Sequence, residues 1–155
     1  MAAGFKLGRR QEAGMLAFLG ERLAVSVAAA TASRPLAIDG ALSSAGANNE
    51  FMGLLDRAGP YGAGHPEPRF AFPTHRLSRV RIINEQHVRC TLSAANGWRL
   101  EAAAFRVGDT PLGKLLLKAE GTKLHVAGHL RRDTWNGRDG VELIIEDAAE
   151  VAASR

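Results

Sequence analysis

Residues Leu124 to Asp147 constrain the fold of this chain more tightly than any other stretch. Leu124–Arg131 and Val141–Glu146 both alternate apolar and polar side chains, and a short connection carrying Trp135-Asn136-Gly137-Arg138 joins them. Alternation marks strands with one buried face. Asn-Gly is the strongest short hairpin signal, because both central residues of a type I′ turn need positive φ. The two segments therefore predict an antiparallel pair with a basic, aromatic tip. Such a tip suits stacking on bases and contact with phosphates.

The remaining segments decide what that hairpin belongs to. Gln11 to Ala30 has Met15, Leu16, Phe18, Leu19, Leu23 and Val27 at helical spacing. Leu36–Gly40 reads as a short strand, and Asn48 or Asn49 caps a second helix running through Arg57. Gly59 to Pro68 holds three glycines and three prolines and breaks both patterns. Beyond it the rhythm changes from 3.6 to 2. Arg76–Asn84, His87–Ala94 and Trp98–Arg106 read as three strands, with an Asn96-Gly97 turn between the last two. Thr110 caps a helix with Pro111 in its first turn, Leu112, Leu115 and Leu116 on one face, and Gly121 at its end.

Three strands, a helix and two strands is the order of a five-stranded OB-type Greek-key barrel, a fold that often binds oligonucleotides. The expected class is α+β: that barrel, preceded by a partial α/β segment. The expected domains are residues 1–64 and 65–152.

Composition narrows the partners. The 155 residues carry a formal charge of +4 and a pI near 9.8, a modest basic excess compatible with an anionic partner. Glu21 and Arg22 interrupt the apolar run after Lys6, Arg9 and Arg10, which argues against a leader peptide. No stretch approaches the ~20 apolar residues of a membrane span. The single cysteine, Cys90, reads as a small buried hydrophobe and fits a reducing, cytoplasmic setting. His125 and His129 share a strand face but lie about 13 Å apart, too far for one metal ion. No catalytic pattern is complete, so no catalytic residue and no metal ligand is expected.

The residues expected to touch nucleic acid are Arg76, Arg79, Arg81, Arg89, Arg99, Arg131, Arg132, Trp135 and Arg138. Neighbouring strands could merge the arginines into a stripe along a phosphate backbone. The competing expectation is a solvated face on which they pair with Glu85, Glu101, Glu142 and Glu146. Trp98, alternating with Leu100 and Ala102, is expected to close the barrel as core. Trp135 is expected in contact with nucleic acid or a neighbouring domain.

Several of these segments resemble one family. The hairpin Leu130–Arg138 with Val141–Ala149 is similar to the C-terminal OB domain of RecJ, the bacterial single-strand-specific DNA exonuclease. Pro60-Tyr61-Gly62-Ala63-Gly64-His65-Pro66-Glu67-Pro68 resembles the family signature Pro-Phe-Gly-x-Gly-Asn-Pro-Glu-Pro, with Tyr61 and His65 as departures. Ala104-Phe105-Arg106 and Pro111-Leu112-Gly113 also fit the family pattern. The resemblance implies a parent that degrades single-stranded DNA from the 5′ end in recombination and repair. Its metal-dependent Asp-His-His domain, using manganese or magnesium, would lie upstream. Met1-Ala2-Ala3-Gly4-Phe5 follows the point where the family's Gly-Gly-Gly-His motif ends, so Met1 is expected to be internal to a longer protein. Residues 1–64 would then be the end of a DHH-associated domain, with an apolar face on the first helix left exposed. The implied partners are single-stranded DNA, the missing catalytic domain and a single-strand-binding protein. The chain itself would hold no cofactor and do no chemistry. The alternative is an OB domain that buttresses its neighbours or docks a protein without touching DNA.

Overall fold

A computed structural model of the chain describes residues 4, 6–32, 35–134 and 139–152. The Asn136-Gly137 turn, Trp135 and Arg138 lie outside the described residues. The chain divides into two compact units, one ending at Leu36 and one starting at Ala37.

In the first unit a 3-10 turn, Arg9–Gln11, leads into helix α1, Glu12–Ala32. Leu16, Phe18, Leu23, Val25 and Val27 are exposed, and the Arg22 guanidinium lies 5.6 Å from the centre of the Phe18 ring one turn earlier. The resemblance to a truncated DHH-associated domain implied an exposed apolar face on this helix.

The second unit is built on a long strand, β2 (Phe70–Ile83). A two-residue strand, β1 (Gly40–Ala41), runs parallel to its start. The first half of β2 pairs antiparallel with β5 (Lys123–Asp133), and its second half pairs with β3 (His87–Ser93). Arg76 is paired on both sides, with Ser93 and with Lys123. A strand can serve two neighbours in this way only by coiling, and β2 coils at two register shifts that contain Thr74 (φ 56°) and Arg79 (φ 53°). Glu120 compensates the second shift, accepting the N–H groups of Arg79 (3.0 Å) and Val80 (2.7 Å) on its two oxygens.

Strand β4 (Arg99–Ala104) pairs with β3, then runs parallel to β6 (Gly140–Glu150), which pairs antiparallel with β5. The order β2-β3-β4-β6-β5, closed by β5–β2, is a five-stranded OB-type barrel. The expected strand count, their order and the single intervening helix all hold. Several boundaries differ: β1 is Gly40–Ala41 rather than Leu36–Gly40, β6 runs on to Glu150, and two more differ for reasons visible in the structure. β2 begins at Phe70 rather than Arg76, because Pro73 falls in a register shift where no ladder N–H is required. β4 ends at Ala104, because Arg106 turns to φ 57° and donates its N–H to His87 Nδ1 at 3.0 Å.

Inward residues of every barrel strand meet in one core. Phe72, Leu77, Val88, Leu92, Leu124, Val126 and Leu143 are all at least 98% buried, as is Leu116 from helix α3 (Pro111–Lys118). α3 starts as its sequence dictates: Thr110 Oγ1 accepts the Gly113 N–H at 3.2 Å, and Pro111 occupies the first turn. Its end falls at Lys118, ahead of Gly121. Gly113 sits so close to the preceding loop that a Cβ would lie 1.8 Å from the Val107 carbonyl oxygen. Cys90 is buried on the inner face of β3, and burial, with Glu101 and Glu120 adding to it, pushes its thiol up to about 12. It is an inert core residue.

Helix α2 (Asn49–Ala58) packs on β5 and β6. Asn48 is its cap, the side chain accepting the Phe51 N–H at 2.9 Å, and Phe51 meets Phe70 edge-on at 5.4 Å. The glycine- and proline-rich segment folds back on this helix: Tyr61 Oη donates to the Leu55 carbonyl at 2.8 Å, and His65 Nε2 lies 3.1 Å from the Ala58 carbonyl. It therefore lies inside the unit that starts at Ala37. The change of sequence rhythm there marks a change of secondary structure, and packing continues across it.

Candidate nucleic-acid interface

The β register sorts the predicted arginines into rows across the outer face of the barrel. Val88, Cys90 and Leu92 point into the core, so His87, Arg89, Thr91 and Ser93 point out. One row runs Ser78–Thr91–Glu101–Glu142–Arg131 across five strands. A second runs Arg81–Arg89–Ala103–Ile144–His129. A third runs Lys123–Arg76–Ser93–Arg99.

The first two rows end in a charge-compensated cluster. Glu142 is 99% buried, yet it accepts from two guanidiniums: Arg89 Nη2 reaches Oε1 at 2.5 Å and Arg131 Nη2 reaches Oε2 at 2.7 Å. Thr91, equally buried, donates to Glu101 Oε1 at 3.1 Å. The Arg131 guanidinium also lies over Phe105, 5.3 Å from the ring centre, and His87 meets the same ring edge-on at 5.3 Å. A cavity of about 270 Å³ opens between these groups, bounded also by Ile83 and Asp133. For Arg89 and Arg131, pairing with a carboxylate is what the register produces.

The third row is different. Arg76 Nη1 donates to the Gly121 carbonyl at 2.5 Å and keeps its charge uncompensated. No described carboxylate lies within ion-pair distance of Arg76, Arg99 or Lys123. A groove of about 620 Å³ runs beside this row, with Pro73, Arg76, Ser93 and Lys123 in its walls. Arg81 also has no described carboxylate partner; it faces Arg89 directly across β2–β3, and Glu142 on Arg89 offsets part of the like-charge repulsion. Arg79 is exposed at its bulge.

Trp98 corrects an expectation. Its side chain is 60% exposed, so it does not close the barrel as core. The Asn96-Gly97 turn, with Gly97 at φ 82°, ends the strand alternation one residue before the ladder resumes at Arg99. The Trp98 backbone is fixed all the same. Its N–H donates to Asn96 Oδ1 at 3.2 Å, and its carbonyl accepts from Ser44 Oγ at 3.0 Å. Ser44 is in turn tied to buried His75, whose Nε2 accepts the Ser44 N–H at 3.1 Å while Nδ1 lies 2.9 Å from the Pro73 carbonyl. The residue next to Arg99 of the third row thus has a fixed backbone and an exposed aromatic side chain.

Arg132 alternates to the other side of β5 and is committed to α2, its Nη2 pairing with Asp56 Oδ2 at 2.5 Å. Sequence reasoning passed over a further group. Arg69 Nε pairs with Glu146 Oε2 at 2.5 Å, and His129 Nδ1 lies 2.9 Å from Glu146 Oε1. Partial burial alone would raise the Glu146 carboxyl, but the hydrogen bonds and charges of His129 and Arg69 prevail and hold it below its ordinary range. Phe105 was legible only as part of a family pattern, since its role depends on β4 ending one residue before it. Among the described residues no group of three or more His, Cys, Asp or Glu side chains is arranged to hold a metal ion.

Fold and face together define an OB-type barrel whose outer surface is edged by aromatic and basic side chains. A family model described as the RecJ OB domain matches residues 38–147, and the chain belongs to that family. It is 26% identical over 102 residues to the single-stranded-DNA-specific exonuclease RecJ of Bacillus subtilis, and 29% identical over 110 residues to that of Salmonella typhimurium. These alignments cover 64% and 70% of this chain, and the chain spans only 12% and 18% of those relatives. Among solved structures, RecJ of Thermus thermophilus in complex with Mn²⁺ superimposes with a TM-score of 0.57 at 25% identity, covering 87% of this chain and 20% of that one. No described helix is long and apolar enough to cross a membrane.

Proposed function

We propose that this chain is the single-stranded-DNA-binding portion of a RecJ-like exonuclease that degrades DNA from the 5′ end in recombination and repair, in the cytoplasm. In this reading residues 1–64 are the end of the DHH-associated domain. The phosphodiester is cut by the parent's Asp-His-His domain with manganese or magnesium, and a single-strand-binding protein is a further partner. This chain supplies affinity and strand selection and no chemistry. The observation that carries the reading is the uncompensated cationic row Lys123–Arg76–Ser93–Arg99, lying beside the exposed Trp98. A backbone of phosphates needs spaced cations without local acids, and unstacked bases need an exposed ring; a duplex offers the first without the second.

The test is fluorescence anisotropy of a labelled oligothymidylate and of the matching duplex, titrated with the full chain at several salt concentrations. The expected result is binding of the single strand, weaker binding of the duplex, and affinity that falls linearly with log salt. A single strand left unbound even at low salt would reject the proposal and favour a purely structural barrel.

A further inference from the structure

The arginine beside Phe105 carries a more specific inference, which rests on the DNA-binding reading above and assigns a role within that same face. We propose that the Arg131 guanidinium is a stacking platform for one base of the bound strand, positioned by Glu142, and is not a phosphate clamp.

Three observations converge on it. The first is orientation. Arg131 Nη2 is held by Glu142 Oε2 at 2.7 Å while the guanidinium carbon sits 5.3 Å from the centre of the Phe105 ring. One contact restrains the guanidinium at its rim and the other sets its carbon over the Phe105 ring. The ring beneath is itself braced by the edge of His87 at 5.3 Å. A planar group fixed in this way is already ordered, so a base that stacks on it forfeits little further side-chain entropy.

The second observation is access. With Phe105 beneath and a carboxylate at its rim, the Arg131 side chain still keeps 53% of its surface exposed, at the mouth of the 270 Å³ cavity. Phe105 itself is 45% exposed. The layer order Phe105, guanidinium, base continues a stack already begun in the protein, and arginine planes are among the surfaces on which splayed bases stack.

The third is charge. The cavity contains two guanidiniums, Arg89 and Arg131, and two carboxylates, Glu142 and Asp133. Both guanidiniums are bound to the same buried Glu142. A phosphate brought there would have to compete with a buried carboxylate that already holds donors of both guanidiniums. Six residues before Phe105 in the chain, and two before Glu101, Arg99 belongs to a separate row, Lys123–Arg76–Ser93–Arg99, that offers a phosphate three cations and no described acid. The two ends thus divide the work: phosphates are held at the Trp98 end, and a base is stacked at the Phe105 end.

Arg131→Lys separates the two roles, because lysine keeps the charge and loses the plane. The full chain and this variant are titrated with a short single strand that carries a fluorescent purine analogue at each position in turn, its emission falling on stacking. For the unaltered chain, emission falls strongly at one position within the site. In Arg131→Lys that fall disappears, affinity drops about five- to tenfold, near the lower end of what one stacked base contributes, and the slope of log affinity against log salt is unchanged. Phe105→Leu, which keeps an apolar group and removes the ring, gives the same pattern and decides the matter should the lysine variant unfold. An unaltered chain that binds no strand would reject the DNA-binding reading itself. A strand bound equally tightly by both variants, with the same emission change, would overturn the platform and leave DNA binding standing.

Discussion

At the Phe105 end of the outer face, Arg89 and Arg131 share one buried carboxylate, whereas at the Trp98 end Arg76, Arg99 and Lys123 stand in register with a serine between them and no described acid. The Phe105 end draws its charged groups from β3, β5 and β6 and the Trp98 end from β2, β4 and β5, and both have an exposed aromatic side chain. The difference lies in what each strand's register places next to each cation. An arginine beside a buried glutamate becomes part of the protein's own polar structure, and only its plane is available to a ligand. An arginine opposite serine keeps its charge available for one. Counting basic residues along a sequence cannot separate these two states.

The comparison is broken most directly by removing the shared carboxylate. Glu142→Ala leaves two guanidiniums facing each other without their acceptor and is expected to destabilise the barrel by about 3 kcal/mol, at the lower end for a broken buried ion pair because Arg89 and Arg131 both retain some solvent contact. Urea denaturation measures it, and a loss under about 1 kcal/mol would mean that the cluster is no more than a surface pairing. The cationic end is tested by Arg76→Gln, Arg99→Gln and Lys123→Gln together. Each phosphate contact on a single strand contributes about 0.7 to the slope of log affinity against log salt, so the triple variant should lower that slope by about 2. An unchanged slope would move the phosphate path elsewhere. Stability should change less than in Glu142→Ala, because no described ion pair is lost and the Arg76 hydrogen bond to the Gly121 carbonyl is the described side-chain bond removed.

The Arg69–Glu146–His129 group sharpens the comparison with pH. The Glu146 carboxyl is held below its ordinary range in the folded protein. Its contribution is therefore fully present above the unfolded carboxylate value of about 4.3 and is lost as pH falls through the lower folded value. Glu146→Gln should flatten the acid side of the stability–pH curve and leave the cationic row's DNA affinity intact. An acid limb identical to that of the unaltered chain would show that the pairing has no energetic weight. The smallest effect is expected at α2. Asn48→Ala removes one capping bond and should cost about 1 kcal/mol in thermal or urea unfolding, with no change in the salt slope.

Much of this architecture is legible in particular residues. Thr110-Pro111 fixes the start of α3, Asn48 the start of α2, and the alternation of Val88, Cys90 and Leu92 the buried face of β3. These are local signals, set by backbone hydrogen-bonding needs and by the two-residue period of a strand. The order of three strands, one helix and two strands follows from them, and that order admits few barrels. The candidate site was legible as a list of arginines but not as a surface. Glu142 is 53 residues from Arg89 in sequence and 2.5 Å from it in space. Trp98 looked like core because it keeps step with Leu100, yet the turn before it sets its side chain free.

The sequence by itself determined where α2 and α3 begin, which face β3 buries and that five strands with one helix would close as an OB-type barrel, since these depend on caps, turns and periodicity within a few residues. Only the tertiary structure decided which cations are compensated. That depends on the parallel pairing of β4 with β6, which sets Glu101 against Glu142, and on the β5–β6 register, which sets Glu142 against Arg131. Electrostatic partnership is a matter of a few ångströms across strands, and no local pattern along the chain encodes it.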